Sequence, residues 1–262
     1  MRIPCIIALT WAVAGAAAAA PAPGERLNFL SCPQIHDTTP NCWTADYQGE
    51  TYYIGAQRGP TESYPPQMKH QILVEGVVGD GPRICGGIPV KPVRLSVMPE
   101  IDLKCDSPVL PGDGLTAPTL PPRAPLVSRP RDVVGGIGSF MRSDPPQPPY
   151  TVREFRIDFD FGSDLLTDQM QKRVIEVLTY AKAANAKAIA IKGYSATTLL
   201  TNGRRLAETD GLGEQRARKV ARILANFGAS EPTMAVAWAE STEPADGVGD
   251  ADRRRVTVIV QP

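Results

Sequence analysis

The chain has 262 residues, with 28 basic and 28 acidic side chains and a formal net charge of zero. Lacking a net field, it has no electrostatic claim on nucleic acid or on an anionic membrane surface, and neither is expected as a partner. The length allows two modest domains and a linker, each domain large enough for a core of its own.

Residues 1–19 read as a secretory signal: Arg2 is the basic start, Cys5 to Val13 the apolar stretch, and Ala16 to Ala20 the small-residue exit, with cleavage after Ala17-x-Ala19. That apolar stretch is too short to cross about 30 Å of hydrocarbon, and no later segment approaches the roughly 18 apolar residues a membrane helix needs. The mature chain is therefore expected to be exported to the periplasm without a transmembrane segment, with the outer membrane or cell wall as its neighbour. A lipid anchor is not expected, because Cys5 lies inside the apolar stretch and Cys32 follows the charged Glu25-Arg26.

Four cysteines remain, Cys32, Cys42, Cys85 and Cys105, an even number that reads as two disulfides in an exported chain. Of the three possible connectivities the local one is preferred, Cys32 with Cys42 and Cys85 with Cys105, since each pair closes a short loop around a strand segment. Metal binding is not expected: there is no C-x-x-C, and His36 and His70 are the only histidines. No cofactor motif is read either.

Residues 27–106 form the first expected domain. Cys42 to Tyr47, then Gly49-Glu50, then Thr51 to Ile54 reads as a hairpin of aromatic and β-branched residues, Gln71 to Val78 as the next strand, and Cys85 to Val97 as one or two more. About five short strands with almost no helical periodicity predict a small antiparallel barrel, OB-like or SH3-like. The phrase H-Q-I-L-V-E-G-V-V resembles, loosely, the sheet core of OB-like periplasmic modules. Trp43, Tyr47, Tyr52, Tyr53 and Tyr64 are candidates for a ligand-binding aromatic surface, against the alternative that they pack the core and the cross-strand pairs. An envelope protein is the partner this domain would suit.

Residues 107–150 are dense in proline, from Pro108 to Pro149, and predict an extended linker that holds neither sheet nor helix. Stretched in polyproline conformation, some forty residues would reach on the order of 100 Å. The interruption Val133 to Met141 carries a Gly-x-Gly without a strand before it or a long helix after it, so no phosphate loop is read. With such a spacer the two halves are expected to fold independently.

Residues 151–262 switch period. Glu154 to Phe161 alternates as a strand, with Ser163 or Asp164 placed to cap a following helix whose apolar face is Leu166, Met170, Val174, Val177, Leu178 and Ala181. Ala188 to Tyr194 is a strand, Gly213 to Phe227 a second helix, and Thr233 to Ala239 and Arg255 to Val260 are closing strands. This β-α-β-α-β-β order predicts an α+β sandwich with both helices on one face of a mixed sheet.

Several phrases here stand in the order of the OmpA-like domain, which the segment resembles. Phe159-Asp160-Phe161-Gly162-Ser163 is similar to its first strand and turn, Ile189 to Tyr194 to the strand ending in Gly-[His/Tyr], and Leu212, Arg216, Ala217 and Val220 to its L-S-x-x-R-A-x-x-V helix. Trp238, Glu240 and Pro244 fall at its G-x-G-E...P element, and Arg254-Arg255-Val256 at its terminal R-R-V. The resemblance implies a non-catalytic envelope module that binds the stem peptide of peptidoglycan, chiefly diaminopimelate. In that family an Asp after the Gly-[His/Tyr] strand end faces the ammonium group, and the arginine of the R-A helix grips a carboxylate through two parallel hydrogen bonds.

By that resemblance Arg216 is the ligand arginine, Thr209 stands where an Asn is usual, and Ser195-Ala196 replaces the expected Asp. Arg254 is carried over as a further site residue. The stretch from Thr197 to Gly211 is about five residues longer than the family's, and Glu208 or Asp210 within it could restore the negative charge; the alternative is that both are helix N-terminal acids. Arg216 is expected to be exposed, so its truncation should remove binding with little effect on stability. Two functions follow: peptidoglycan binding through this pocket, or an envelope protein-interaction scaffold whose altered pocket does not bind it. No Ser or Cys nucleophile stands in a recognisable frame, so an enzyme is not expected.

Overall fold

The computed structural model describes residues 21–56, 67–106, 109–119, 146–229, 233–240 and 244–262. The expected signal at 1–19, Tyr64 and the Val133 to Met141 interruption lie outside these. Among the described residues no helix is long and apolar enough to cross a membrane.

The N-terminal unit contains seven strands: β1 (Arg26–Ser31), β2 (Pro33–Asp37), β3 (Cys42–Tyr47), β4 (Glu50–Ala56), β5 (His70–Val78), β6 (Ile88–Ile101) and β7 (Leu110–Pro111). They form one sheet in the order β1-β5-β6-β4-β3-β2-β7. The outer strands β1 and β7 are not paired with each other, so the expected closed barrel is replaced by an open, folded-over sheet. Its two ends share a core: Leu27, Phe29, Ile72 and Val74 from one side meet Trp43, Ala45, Tyr52 and Ile54 from the other. The aromatics accordingly pack inward. Trp43 and Tyr52 are buried, Tyr47 stacks on Phe29 with ring centroids 4.6 Å apart, and Tyr53 is half-buried.

The disulfides join Cys32 to Cys105 and Cys42 to Cys85, not the local pairs expected from the sequence. Cys32, between β1 and β2, lies against the helical turn that follows β6, and Cys42, at the start of β3, against the turn that precedes β6, with Cα separations of 4.9 and 6.4 Å. Closing 73 and 43 residues of chain, each bridge removes about 4 kcal/mol of unfolded-state freedom in the chain-entropy model. The proline-dense stretch also departs from expectation at its start: Leu110 and Pro111 pair in parallel with His36 and Asp37. A proline fits there because an edge strand leaves one side of its ladder open.

The C-terminal unit follows the predicted order, with a small insertion. β8 (Arg153–Asp158), α1 (Asp168–Ala183), β9 (Ala188–Ser195), the short hairpin strands β10 (Thr197–Leu199) and β11 (Arg205–Ala207), α2 (Leu212–Asn226), β12 (Met234–Glu240), a turn of helix α3 (Asp250–Arg253) and β13 (Arg255–Gln261) make it up. The sheet runs β12-β9-β13-β8, and α1 and α2 cover the face bearing Phe155, Ile157, Ile189, Ile191, Val256, Val258 and Val260. Thr167, rather than Ser163 or Asp164, caps α1 through its hydroxyl on the Met170 amide. The hairpin β10–β11 was not visible as strands in the sequence.

The two units do not stand apart on a spacer. Strand alternation sends one face of β1, β5 and β6 into the N-terminal core and the other onto the C-terminal unit. Asn28 and Leu30, Leu73 and Glu75, and Arg94, Ser96 and Met98 make this second face. Leu30, Leu73 and Met98 pack with Phe161, Leu200 and Leu206. Ser96 Oγ accepts the Phe161 amide at 2.8 Å, and Arg94 donates to the Ala251 carbonyl at 2.8 Å. At the centre, the buried Glu75 carboxylate pairs with both terminal nitrogens of the fully buried Arg254, and Thr198 Oγ1 bonds to each.

Glu75→Ala would strand Arg254 in the interface and is expected to cost about 3–5 kcal/mol. Urea unfolding of the whole chain should show the loss in one shared transition; a change confined to one unit would mean the halves fold separately. Peptide mapping without reduction should link Cys32 to Cys105 and Cys42 to Cys85.

Candidate functional site

Arg216 owes its place to two glycines. A Cβ on Gly193 would lie 2.0 Å from the Gly213 carbonyl and 2.9 Å from the Ala217 methyl, and one on Gly213 would lie 3.1 Å from the Ser195 amide. Without side chains at these points, the first turn of α2 lies directly on the end of β9 and points Arg216 into the space beneath the 159–163 turn. The side chain is 0% exposed, not at the surface as expected.

All five of its N–H groups are used. Nε donates to the Ser163 carbonyl at 2.9 Å, one terminal nitrogen to the Tyr194 carbonyl at 3.0 Å, and the other to the Asp160 carbonyl at 2.9 Å. The remaining two donate in parallel to Glu208, at 2.8 and 2.6 Å. The carboxylate is equally occupied: Oε1 also accepts the Gly162 amide and Oε2 the Ala196 amide, each at 2.9 Å. Four acceptor positions and five donor positions are thereby matched within the protein. Nothing on the guanidinium remains for an outside carboxylate.

Of the two acids that could restore the missing charge, the structure brings Glu208 into the site and leaves Asp210 exposed, together with Thr209. Ala196 is buried with its amide on Glu208, and Ser195 is buried beside it at the end of β9. Arg254 belongs to a separate cluster. The two arginines flank Phe159-Asp160-Phe161, Arg216 over the Phe159 ring at 5.2 Å and Arg254 over the Phe161 ring at 5.5 Å. Between them burial pushes the Asp160 carboxyl above its ordinary range, against the pull of Arg254, Arg94 and Arg216.

Three carbonyls and the Gly162 amide complete the site; they fall in the two phrases that carry the family resemblance, but as backbone groups they are marked by no side-chain type. Glu75, the partner of Arg254, did have a signal: it is the one charged residue in the apolar run from Ile72 to Val78. A cleft of about 370 Å³ opens beside the site between the two units, lined by Gln67, His70, Pro99, Asp160, Ser163 and Gln215 among others. Neither Arg216 nor Glu208 reaches its wall. Among the described residues no group of three or more His, Cys, Asp or Glu side chains could hold a metal.

Residues 158–257 match the OmpA family, and the C-terminal unit is an OmpA-family domain. Similar solved structures include the peptidoglycan-associated lipoprotein of Burkholderia pseudomallei, at 26% identity over 41% of this chain and 90% of that one, with a TM-score of 0.33. The cell wall anchor of the type VI secretion system of Pseudomonas aeruginosa is similar at 20% identity over 42% and 80%, TM-score 0.34. The OmpA-like domain of FopA1 from Francisella tularensis is similar at 18% over 42% and 71%, TM-score 0.33. No curated protein matches the chain at a significant level.

Arg216→Ala leaves a buried carboxylate unpaired and is expected to cost about 3–5 kcal/mol, where an exposed arginine would cost almost nothing. Ala196→Asp sets a second carboxylate against Glu208 and should also lower the melting temperature. Thermal unfolding of both variants checks this, and two unchanged midpoints would contradict the pairing.

Proposed function

We propose that the chain is a non-catalytic cell-envelope protein in which an OmpA-family domain serves as part of a two-unit scaffold, its ligand site closed from inside by Glu208. One observation carries the reading: the Glu208 carboxylate makes with Arg216 the paired hydrogen bonds that the family resemblance reserves for the carboxylate of a stem peptide. In the closed form, peptidoglycan would have to displace an intramolecular partner that is already desolvated and held by two backbone amides as well. An intramolecular ligand competes at high effective concentration, so a free carboxylate is at a disadvantage.

The signal-like sequence of residues 1–19 and two disulfides in the N-terminal unit support the periplasm as its place. An envelope protein is the partner class that suits the reading, bound through surfaces other than the Arg216 site.

Sedimentation of the whole mature protein with purified peptidoglycan sacculi tests the reading. Wild-type protein should stay in the supernatant, and Glu208→Ala, by uncovering Arg216, should bring a fraction into the pellet. Pelleting of wild type that a folded Arg216→Ala variant loses would reinstate stem-peptide binding at this pocket and overturn the scaffold reading.

A further inference from the structure

The carboxylate that closes Arg216 is delivered by an element that the N-terminal unit grips. Hairpin β10–β11 begins immediately after Ala196 and ends immediately before Glu208. Its base is stapled by the Ala196 amide on Glu208 Oε2 and the Glu208 amide on the Ala196 carbonyl, 2.9 and 3.3 Å. Its far end reaches β1. The Asn28 amide donates to Thr201 Oγ1 at 2.8 Å, the Thr201 amide donates to the Asn28 carbonyl at 2.8 Å, and Asn28 Nδ2 donates to the Leu199 carbonyl at 3.1 Å.

Three kinds of contact thus hold the hairpin from the N-terminal side. Backbone and side-chain bonds run from Asn28, the Glu75 carboxylate reaches Thr198, and Leu200 and Leu206 lie in the apolar cluster with Leu30, Leu73 and Met98. From its own domain the hairpin has Asp250, which accepts the Leu199 amide, and Arg254, which donates to Thr198 Oγ1. Arg254 is itself neutralised by Glu75 of the N-terminal unit, so this second hold also depends on the docked sheet. Both backbone groups of Asn28 are turned away from β5 toward the hairpin, which occupies the outer edge of β1 at that residue.

We propose that the N-terminal unit is the latch of the closed site: docked on hairpin β10–β11 it keeps Glu208 on Arg216, and undocking frees the guanidinium for an external carboxylate. This regulation rests on the reading of the Arg216 site as closed. A partner that adds a strand to the outer edge of β1 would take the Asn28 backbone groups from Thr201 and open the latch without touching Glu208.

Asn28→Ala with Thr201→Ala in the full-length mature protein removes two of these hydrogen bonds, spares the backbone bond from the Thr201 amide to the Asn28 carbonyl, and leaves both members of the ion pair in place. Amide hydrogen exchange reads the latch directly, since the Gly162 and Ala196 amides are held by the Glu208 carboxylate. Both are expected to exchange at least about tenfold faster in the double variant, while Ile191 and Val258 in the central sheet keep their protection. The same variant should pellet with purified sacculi, and adding Arg216→Ala should abolish the pelleting. Should the double variant fail to fold, Thr201→Ala alone, which removes only the bond from the Asn28 amide to Oγ1, takes its place.

Unchanged exchange at Gly162 and Ala196 in a folded variant overturns the latch and leaves the closed-site reading standing. Faster exchange with no pelleting overturns the carboxylate-binding role of the opened site. Wild-type protein that already pellets, and loses this in a folded Arg216→Ala variant, counts against the closed-site reading itself, and is recognised separately because the latch residues are intact.

Discussion

A guanidinium withdrawn from water must find an acceptor for each of five N–H groups, and its charge must meet a counter-charge in the same dry space. At Arg216 these demands organise the C-terminal unit. Three carbonyls come from the 159–163 turn and the end of β9, and the counter-charge comes from Glu208 beyond the hairpin. The acceptors lie on three segments, so the pair ties the turn, the central strand, the hairpin and the start of α2 to one point. Glu208 offsets the cost of desolvation.

A second buried arginine meets its counter-charge across the unit boundary, its Nε left without a partner among the described residues. Arg254 has its counter-charge on β5 of the N-terminal sheet, so each unit alone would hold one half of a buried ion pair. Removing either half is more expensive than never having had the pair, an asymmetry that makes the docked arrangement hard to leave by small steps. Both pairs converge on the hairpin, one at its base and the other through Thr198. Interface and site are consequently one network, and a disturbance at β1 reaches Glu208 through a few residues of chain.

Legibility in the sequence followed the kind of constraint involved. The C-terminal helices and strands were visible because their apolar residues repeat with the period of each element, and because Gly193, Arg216 and Ala217 stand in a recognisable order. Strands β3 to β6 of the N-terminal unit were visible too, but β1, β2 and β7 were not, nor was the closure, since alternation says which residues share a face and nothing about which edges meet. The disulfide pairing depended on that same missing information. The continuous run Ile72-Leu73-Val74 and the solitary Glu75 within the apolar strand did carry a signal, that of a strand buried on both faces with a charge that needs a distant partner. Read in that way, β5 announces an interface that a proline-rich spacer seemed to forbid.

Two of the three departures from the family pattern, Ala in place of Asp at 196 and a longer stretch before α2, reduce to a single physical change. Glu208 Oε2 lies 2.9 Å from the Ala196 amide, so a carboxylate on residue 196 would share its neighbourhood with another. Like charges at such a separation cannot both ionise comfortably in a buried site. An Asp there is tolerable only if Glu208 is elsewhere, and Glu208 can be elsewhere only if the hairpin does not close. Conversely, an Ala at 196 with a short loop would leave Arg216 buried beside no counter-charge at all. The longer loop supplies the acid, the small residue makes room for it, and the hairpin formed by the added length meets the N-terminal sheet. Substituting one without the other yields a site with two negative charges or none.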